Sequence, residues 1–249
     1  MEELGFWVAA FVAAALVGMS KGGVPVVGML GVPVLALVIN PVMAAGLLLP
    51  VYVVSDVFGL YAYRHAFDRR VLAIVVPGAV IGIAIGWATA SLVPEPAVTL
   101  LVGVIGLAFA LNILLRKPVV VEPKRAEVAP GLFWGGVAGF TSFVSHAGAP
   151  PYQVYTLPLG MTKAVFAGTT TIAFAIINAV KLIPYYALGQ LNAGNLKVAA
   201  VLALPAVIAV FVGVRLVQLM PEKLFFRLVV WALALISVKL IWDGARGLI

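Results

Sequence analysis

Long apolar stretches without one charged side chain limit what this chain can fold into more than any other feature. Val71–Leu92 and Ala97–Leu115 each run the length of a bilayer-crossing helix, about 20 residues, with no Asp, Glu, Lys or Arg inside. A strand of a membrane barrel would alternate apolar and polar residues over short segments, and these runs do not. Composition agrees. The chain is 64% hydrophobic and 10% charged, with mean hydropathy +1.17, whereas a soluble domain is about half apolar and a quarter charged. The expected fold class is an all-α integral membrane protein whose first partner is the lipid bilayer.

The formal net charge of +7 fits the Lys and Arg of cytoplasmic loops, so no nucleic-acid partner is expected. Absence of Cys excludes thiol chemistry, disulfides and cysteine-ligated metals. No metal or cofactor is expected. The opening Met1-Glu2-Glu3 is acidic where a signal peptide is basic, so the first apolar segment is read as part of the fold.

The chain repeats itself. "SKGGVP" at Ser20–Pro25 has a counterpart in "SHAGAP" at Ser145–Pro150, and "AAGLLLP" from Ala44 faces "FAGTTTI" from Phe166. Asp56 pairs with Asn178, Tyr63 with Tyr185, Pro77 with Pro205 and Pro94-Glu95 with Pro221-Glu222, in the same order throughout. The expected organisation is a first membrane repeat over 1–115, a charged linker over 116–129 and a second repeat over 130–249. The apolar segments of the first are Leu4–Met19, Val26–Ile39, Val42–Tyr63, Val71–Leu92 and Ala97–Leu115; those of the second are Leu132–Val144, Tyr152–Leu159, Ala164–Leu188, Leu196–Met220 and Leu224–Trp242. Tyr152–Leu159 covers about 12 Å of a core about 30 Å thick. The first two segments of each half therefore read as a re-entrant helical hairpin, followed by three transmembrane helices.

Arg64, Arg69 and Arg70 fill one loop; Arg116, Lys117, Lys124 and Arg125 fill the linker; Lys223 and Arg227 flank a third loop. Placing these inside puts the N-terminus outside and the linker in the cytoplasm. Each half then crosses an odd number of times, so the halves have inverted topology.

Inversion brings the two glycine turns toward the midplane from opposite sides. Each ends in a proline suited to opening a helix, and the glycines let backbone approach a ligand. Helix starts offer free N–H groups and partial positive charge. Together with Lys21, His146 and the hydroxyls of Ser20 and Ser145, they would make a donor-rich cup for a small anionic substrate. The structural alternative is a pair of ordinary Gly/Pro turns with a lysine snorkelling to the interface.

With "GMSKGGVP" in the first turn and "GFTSFVSHAGAPP" in the second, the chain resembles the sulfite exporter family, TauE/SafE, over nearly its whole length. The resemblance implies outward transport of sulfite, sulfoacetate or a related anion across the bacterial inner (plasma) membrane. It assigns Ser20, Lys21, Gly22, Gly23 and Pro25 to one half-site, and Thr141, Ser142, Ser145, His146, Gly148 and Pro150 to the other.

Other polar residues fall inside the apolar runs. Asp56 needs a partner, a proton or water; it reads as a structural pair with Lys181, one helical turn beyond Asn178, or as a proton-coupling carboxylate. Thr169, Thr170 and Thr171 either bond back to their own helix or line the anion path. Lys163 marks a helix start, and Pro50, Pro77, Pro184 and Pro205 are places to bend. The leading reading is a secondary transporter working by alternating access. An anion channel with the same site stands as one alternative. An intramembrane lipid phosphatase-like enzyme is another, disfavoured because Ser145-His146 has no orienting carboxylate nearby in sequence and the chain lacks an acidic cluster. Homo-oligomerisation is left open.

Overall fold

The computed structural model describes residues 2–90, 92–115, 124–189, 191 and 193–248. Among them all regular structure is helical: α1 (Glu2–Lys21), a 3₁₀ segment (Pro25–Leu30), α2 (Gly31–Leu35), α3 (Pro41–Tyr63), α4 (Arg69–Ala88), α5 (Glu95–Leu115), α6 (Val128–Ser145), α7 (Ala149–Thr156), a 3₁₀ turn (Leu157–Leu159), α8 (Lys163–Ala187), α9 (Ala193–Leu219) and α10 (Glu222–Leu248). Eight of the apolar segments read from the sequence each correspond to one helix, while Val26–Ile39 and Tyr152–Leu159 each cover a short helix and a 3₁₀ segment. Eight helices, α1, α3 to α6 and α8 to α10, are long and apolar enough to cross a membrane. The protein is an all-α, multi-pass membrane protein. Most of the predicted linker, 116–123 with Arg116 and Lys117, lies outside the described residues.

Helix ends follow local chemistry. Asp68 caps α4, its carboxylate accepting from the amides of Arg70 and Val71. The Thr162 carbonyl accepts from Phe166 N–H at the start of α8, and its hydroxyl oxygen lies 3.4 Å from Val165 N. Pro50, Pro77, Pro184 and Pro205 all sit inside long helices, α3, α4, α8 and α9.

The chain forms two compact units, each drawing on both sequence halves. The first is Met1–Phe67 with Ala167–Met220; the second is Asp68–Phe166 with Pro221–Ile249.

In the first unit the 3₁₀ segment and α2 double back along α1. Gly28 faces Ser20, and Gly31 faces Val17 and Ala13. Val17, Leu35, Leu48 and Leu202 fill the core between α1, α2, α3 and α9. Helices α1 and α9 approach closely at two glycines one turn apart. A methyl group on Gly18 would fall 2.0 Å from the Ala206 carbonyl oxygen, and one on Gly22 2.4 Å from that of Val210.

The second unit uses the same device more extensively, between α4 and α6. Methyl groups on Gly78 and Gly82 would meet the carbonyls of Leu132 and Gly136; on Gly135 and Gly139 they would meet those of Val75 and Ala79. Lipid supplies no hydrophobic drive for helices to associate, so close backbone approach through small residues carries this contact. Helix α7 doubles back along α6: the Tyr155 ring lies against Gly131, and its hydroxyl donates to the Glu127 carbonyl at 3.0 Å.

Candidate functional site

The first turn begins where α1 ends. Gly23 adopts φ +103, the left-handed region. Its N–H bonds the Ser20 carbonyl, while Val24 N–H bonds that of Met19, both at 3.3 Å. This is the glycine-terminated ending that satisfies two of the last carbonyls of a helix. The next two are satisfied by side chains: Thr171 donates to the Lys21 carbonyl at 3.2 Å and Tyr63 to that of Gly22 at 2.7 Å. Backbone away from water requires such partners.

Lys21 thus sits in the last turn of α1, where the helix dipole favours a cation. It is only 4% exposed. Its Nζ lies 2.8 Å from Asp56 Oδ1 on α3, and the other carboxylate oxygen accepts from Asn178 Nδ2 on α8 at 2.8 Å. The ammonium also stands over the rings of Tyr52 and Phe174, 5.2 and 5.9 Å from their centroids, a cation–π arrangement that partly replaces lost hydration.

Lys181 is one helical turn beyond Asn178 and 1% exposed. Its Nζ lies 5.6 Å from the Tyr185 ring centroid, and it interacts electrostatically with both Lys21 and Asp56. The buried polar side chains of this unit therefore include two lysines and one carboxylate. Breaking such a pair costs far more than an exposed one, and ionisable groups within spans mark function. The ion pair that Asp56 makes here is with Lys21, with Asn178 in support.

Hydroxyls in this turn are committed inward. Ser20 donates to the Val17 carbonyl at 2.6 Å. Thr169 and Thr170 are fully buried on α8, and Thr171 holds the end of α1.

The second turn, in the second unit, is built differently. The left-handed residue closing α6 is His146, φ 53, the one non-glycine residue with positive φ among those described. Thr141 braces it. Its carbonyl accepts from the amides of His146 and Ala147, and its hydroxyl oxygen lies 2.8 Å from the Val137 carbonyl and 3.1 Å from that of Ala147. Ser145 donates to the Thr141 carbonyl at 3.2 Å. Ser142 is buried, and Gly148 is the residue before α7.

Pro25 opens the first 3₁₀ segment and Pro150 lies in the first turn of α7, as their positions predict. Each turn is nonetheless poorer in donors than the sequence suggests. Pro25, Pro150 and Pro151 carry no N–H. Tyr152 N–H is spent on the Gly148 carbonyl and Val27 N–H on that of Val24. With both serine hydroxyls turned inward as well, positive charge at the first turn comes chiefly from lysine.

Sequence reading passed over several residues here. Tyr52 and Phe174 carry no polar signal in an apolar run. Gln153 does: it is a lone amide in a short apolar segment, and it is 0% exposed with neither side-chain amide atom hydrogen-bonded.

The family model described as "Sulfite exporter TauE/SafE" matches residues 8–240, which include both turns and the Lys21, Asp56, Asn178 and Lys181 group. The family is one of transporters and not of enzymes. No curated protein and no solved structure matches the chain.

Proposed function

Because the chain belongs to the sulfite exporter TauE/SafE family, we propose that it is a secondary transporter that exports a small sulfur-containing anion, such as sulfite or sulfoacetate, across the bacterial inner membrane by alternating access. The observation that carries this reading is the buried group Lys21, Asp56, Asn178 and Lys181, with two basic side chains to one acidic one. A buried group with more basic than acidic side chains suits a negatively charged solute.

Asp56 serves as the internal counter-ion. It occupies Lys21 when no substrate is bound, and Asn178 keeps the carboxylate oriented when an incoming anion takes its place on the ammonium. A protonated Asp56 would release Lys21 as well, which gives the same pair a role in proton coupling. The inverted repeats read from the sequence, with the N-terminus outside and the linker cytoplasmic, belong to this proposal. The sequence holds no phosphate-binding loop for ATP. Membrane potential alone favours outward movement of an anion by about 2.3 kcal/mol per charge per 100 mV.

The test is labelled sulfite efflux from proteoliposomes. Wild-type protein is expected to show efflux accelerated by sulfite on the far side, and Lys21→Ala to abolish it while the protein still folds. Unchanged efflux in Lys21→Ala removes the site from the pathway. Large unitary currents without exchange assign a channel instead.

A further inference from the structure

The second unit holds two polar side chains that its own fold leaves unsatisfied. Gln153 on α7 is completely buried, and among the described residues neither its amide nitrogen nor its amide oxygen has a hydrogen-bond partner. Ser237 on α10 is likewise completely buried, with an unpartnered hydroxyl. Ser237 and Pro150, on the same helix as Gln153, face a common seam. A methyl group on Gly106 of α5 would lie 2.4 Å from the Ser237 hydroxyl oxygen and 3.1 Å from Pro150 of α7. Gln153 follows Pro150 by three residues, one helical turn along the same face. The glycine at 106 is what leaves room for the hydroxyl there.

An unmade hydrogen bond of this kind is expensive, and a chain in lipid has no bulk water to cover it. A leucine at 153 and an alanine at 237 would be more stable in a seam with no other purpose. Retaining an uncharged donor–acceptor pair beside the second turn makes sense if a solute supplies the missing partners. An amide offers N–H to an oxyanion's oxygen and, through its carbonyl, accepts from an oxyanion that still carries a hydroxyl. A hydroxyl does both.

We infer that Gln153 and Ser237 form a neutral binding site in the second unit for the transported oxyanion, recognising its oxygen atoms by hydrogen bonds and not by charge. The inference rests on the transport reading above and names residues for it that the turn motifs do not include. The site explains why α7, whose first turn contains two prolines and hence few free amides, can still hold an anion: the donor is a side chain one turn further on.

The experiment measures thermal melting of purified full-length protein with and without sulfite, and with methanesulfonate as an anion lacking the hydroxyl. Gln153→Leu is expected to melt at a higher temperature than wild type without ligand, because the unsatisfied amide is gone. Its affinity for sulfite, read from the sulfite-dependent shift, is expected to fall about tenfold or more, the weight of one hydrogen bond to a charged group. Ser237→Ala moves both readings in the same directions by less. Methanesulfonate is expected to bind wild type more weakly than sulfite and Gln153→Leu about equally.

A Gln153→Leu protein that melts higher yet keeps the full sulfite shift overturns the inference, since water alone then fills the seam. One that melts lower without ligand overturns it too, because the amide is then part of the fold's own bonding. If wild type shows no shift with either anion while Lys21→Ala also leaves efflux unchanged, the transport reading itself fails.

Discussion

The two turns occupy corresponding places in the chain and end their helices by different chemistry. The first uses glycine at the left-handed position and puts a charged residue two places before it; Lys21 is then locked into an ion pair inside its own unit. The second puts His146 at the left-handed position, braces it with Thr141, and leaves neutral polar groups unsatisfied nearby. The buried lysines lie in the unit of the first turn, and the polar groups buried around the second are neutral. A similar motif therefore need not bring similar surroundings: a helix ending fixes backbone, while the side chains around it are free to differ.

The comparison breaks most readily at the ion pair. Removing one partner of a buried pair costs about 3–5 kcal/mol, because the other charge is left without compensation. Asp56→Ala is expected to be the worse of the two single changes, since it strands both Lys21 and Lys181, whereas Lys21→Ala leaves Asp56 with Asn178 and Lys181 in reach. The double variant Lys21→Met/Asp56→Leu should recover most of the lost stability and none of the transport. Denaturant titration in detergent with parallel efflux assays measures both. Equal losses in the two single variants would mean that Lys181 does not share the carboxylate.

A second break separates what the helices need from what the turns need. Gly82→Ala puts a methyl group 2.0 Å from the Gly136 carbonyl oxygen, and overpacking of that kind costs about 1–3 kcal/mol. Gly5→Ala, where a methyl group meets nothing within 4 Å, should be neutral or slightly stabilising. Melting curves of the two variants check this. A Gly82→Ala protein as stable as wild type would show that α4 and α6 can separate without cost.

These cases also show what was legible beforehand. Helix positions followed from apolar runs and their Pro and Gly punctuation, because in lipid each spanning segment must satisfy its backbone within itself, so length and polarity almost suffice. Lys21 and Asp56 stood out for the same reason: a charge in an apolar run has few explanations. Their pairing did not, because it depends on which helices pack, and composition says nothing about that. The close contacts through Gly78, Gly82, Gly135 and Gly139 were written in the spacing of glycines four apart, yet a polarity reading treats glycine as silent. The inward-turned hydroxyls of Ser20 and Ser145 could not be seen at all. A serine's donor goes to the previous helical turn or to a ligand according to backbone geometry a residue or two away.

The smallest expected effect tests the second turn on its own terms. A left-handed conformation costs an ordinary residue about 1–2 kcal/mol, and glycine there avoids it while losing somewhat more chain entropy on folding, about 0.5–1 kcal/mol. His146→Gly should therefore gain about 0.5–1 kcal/mol of stability, making the second turn resemble the first at Gly23. If the imidazole contributes to holding the anion, the same substitution lowers sulfite efflux although the protein has become more stable. Opposite movement of the two readings is the signature, because a simple loss of folding would move them together. A stability loss of 1 kcal/mol or more would instead mean that the side chain, alongside the Thr141 brace, is what keeps the turn closed. Unchanged efflux with increased stability would mean that the imidazole takes no part in transport.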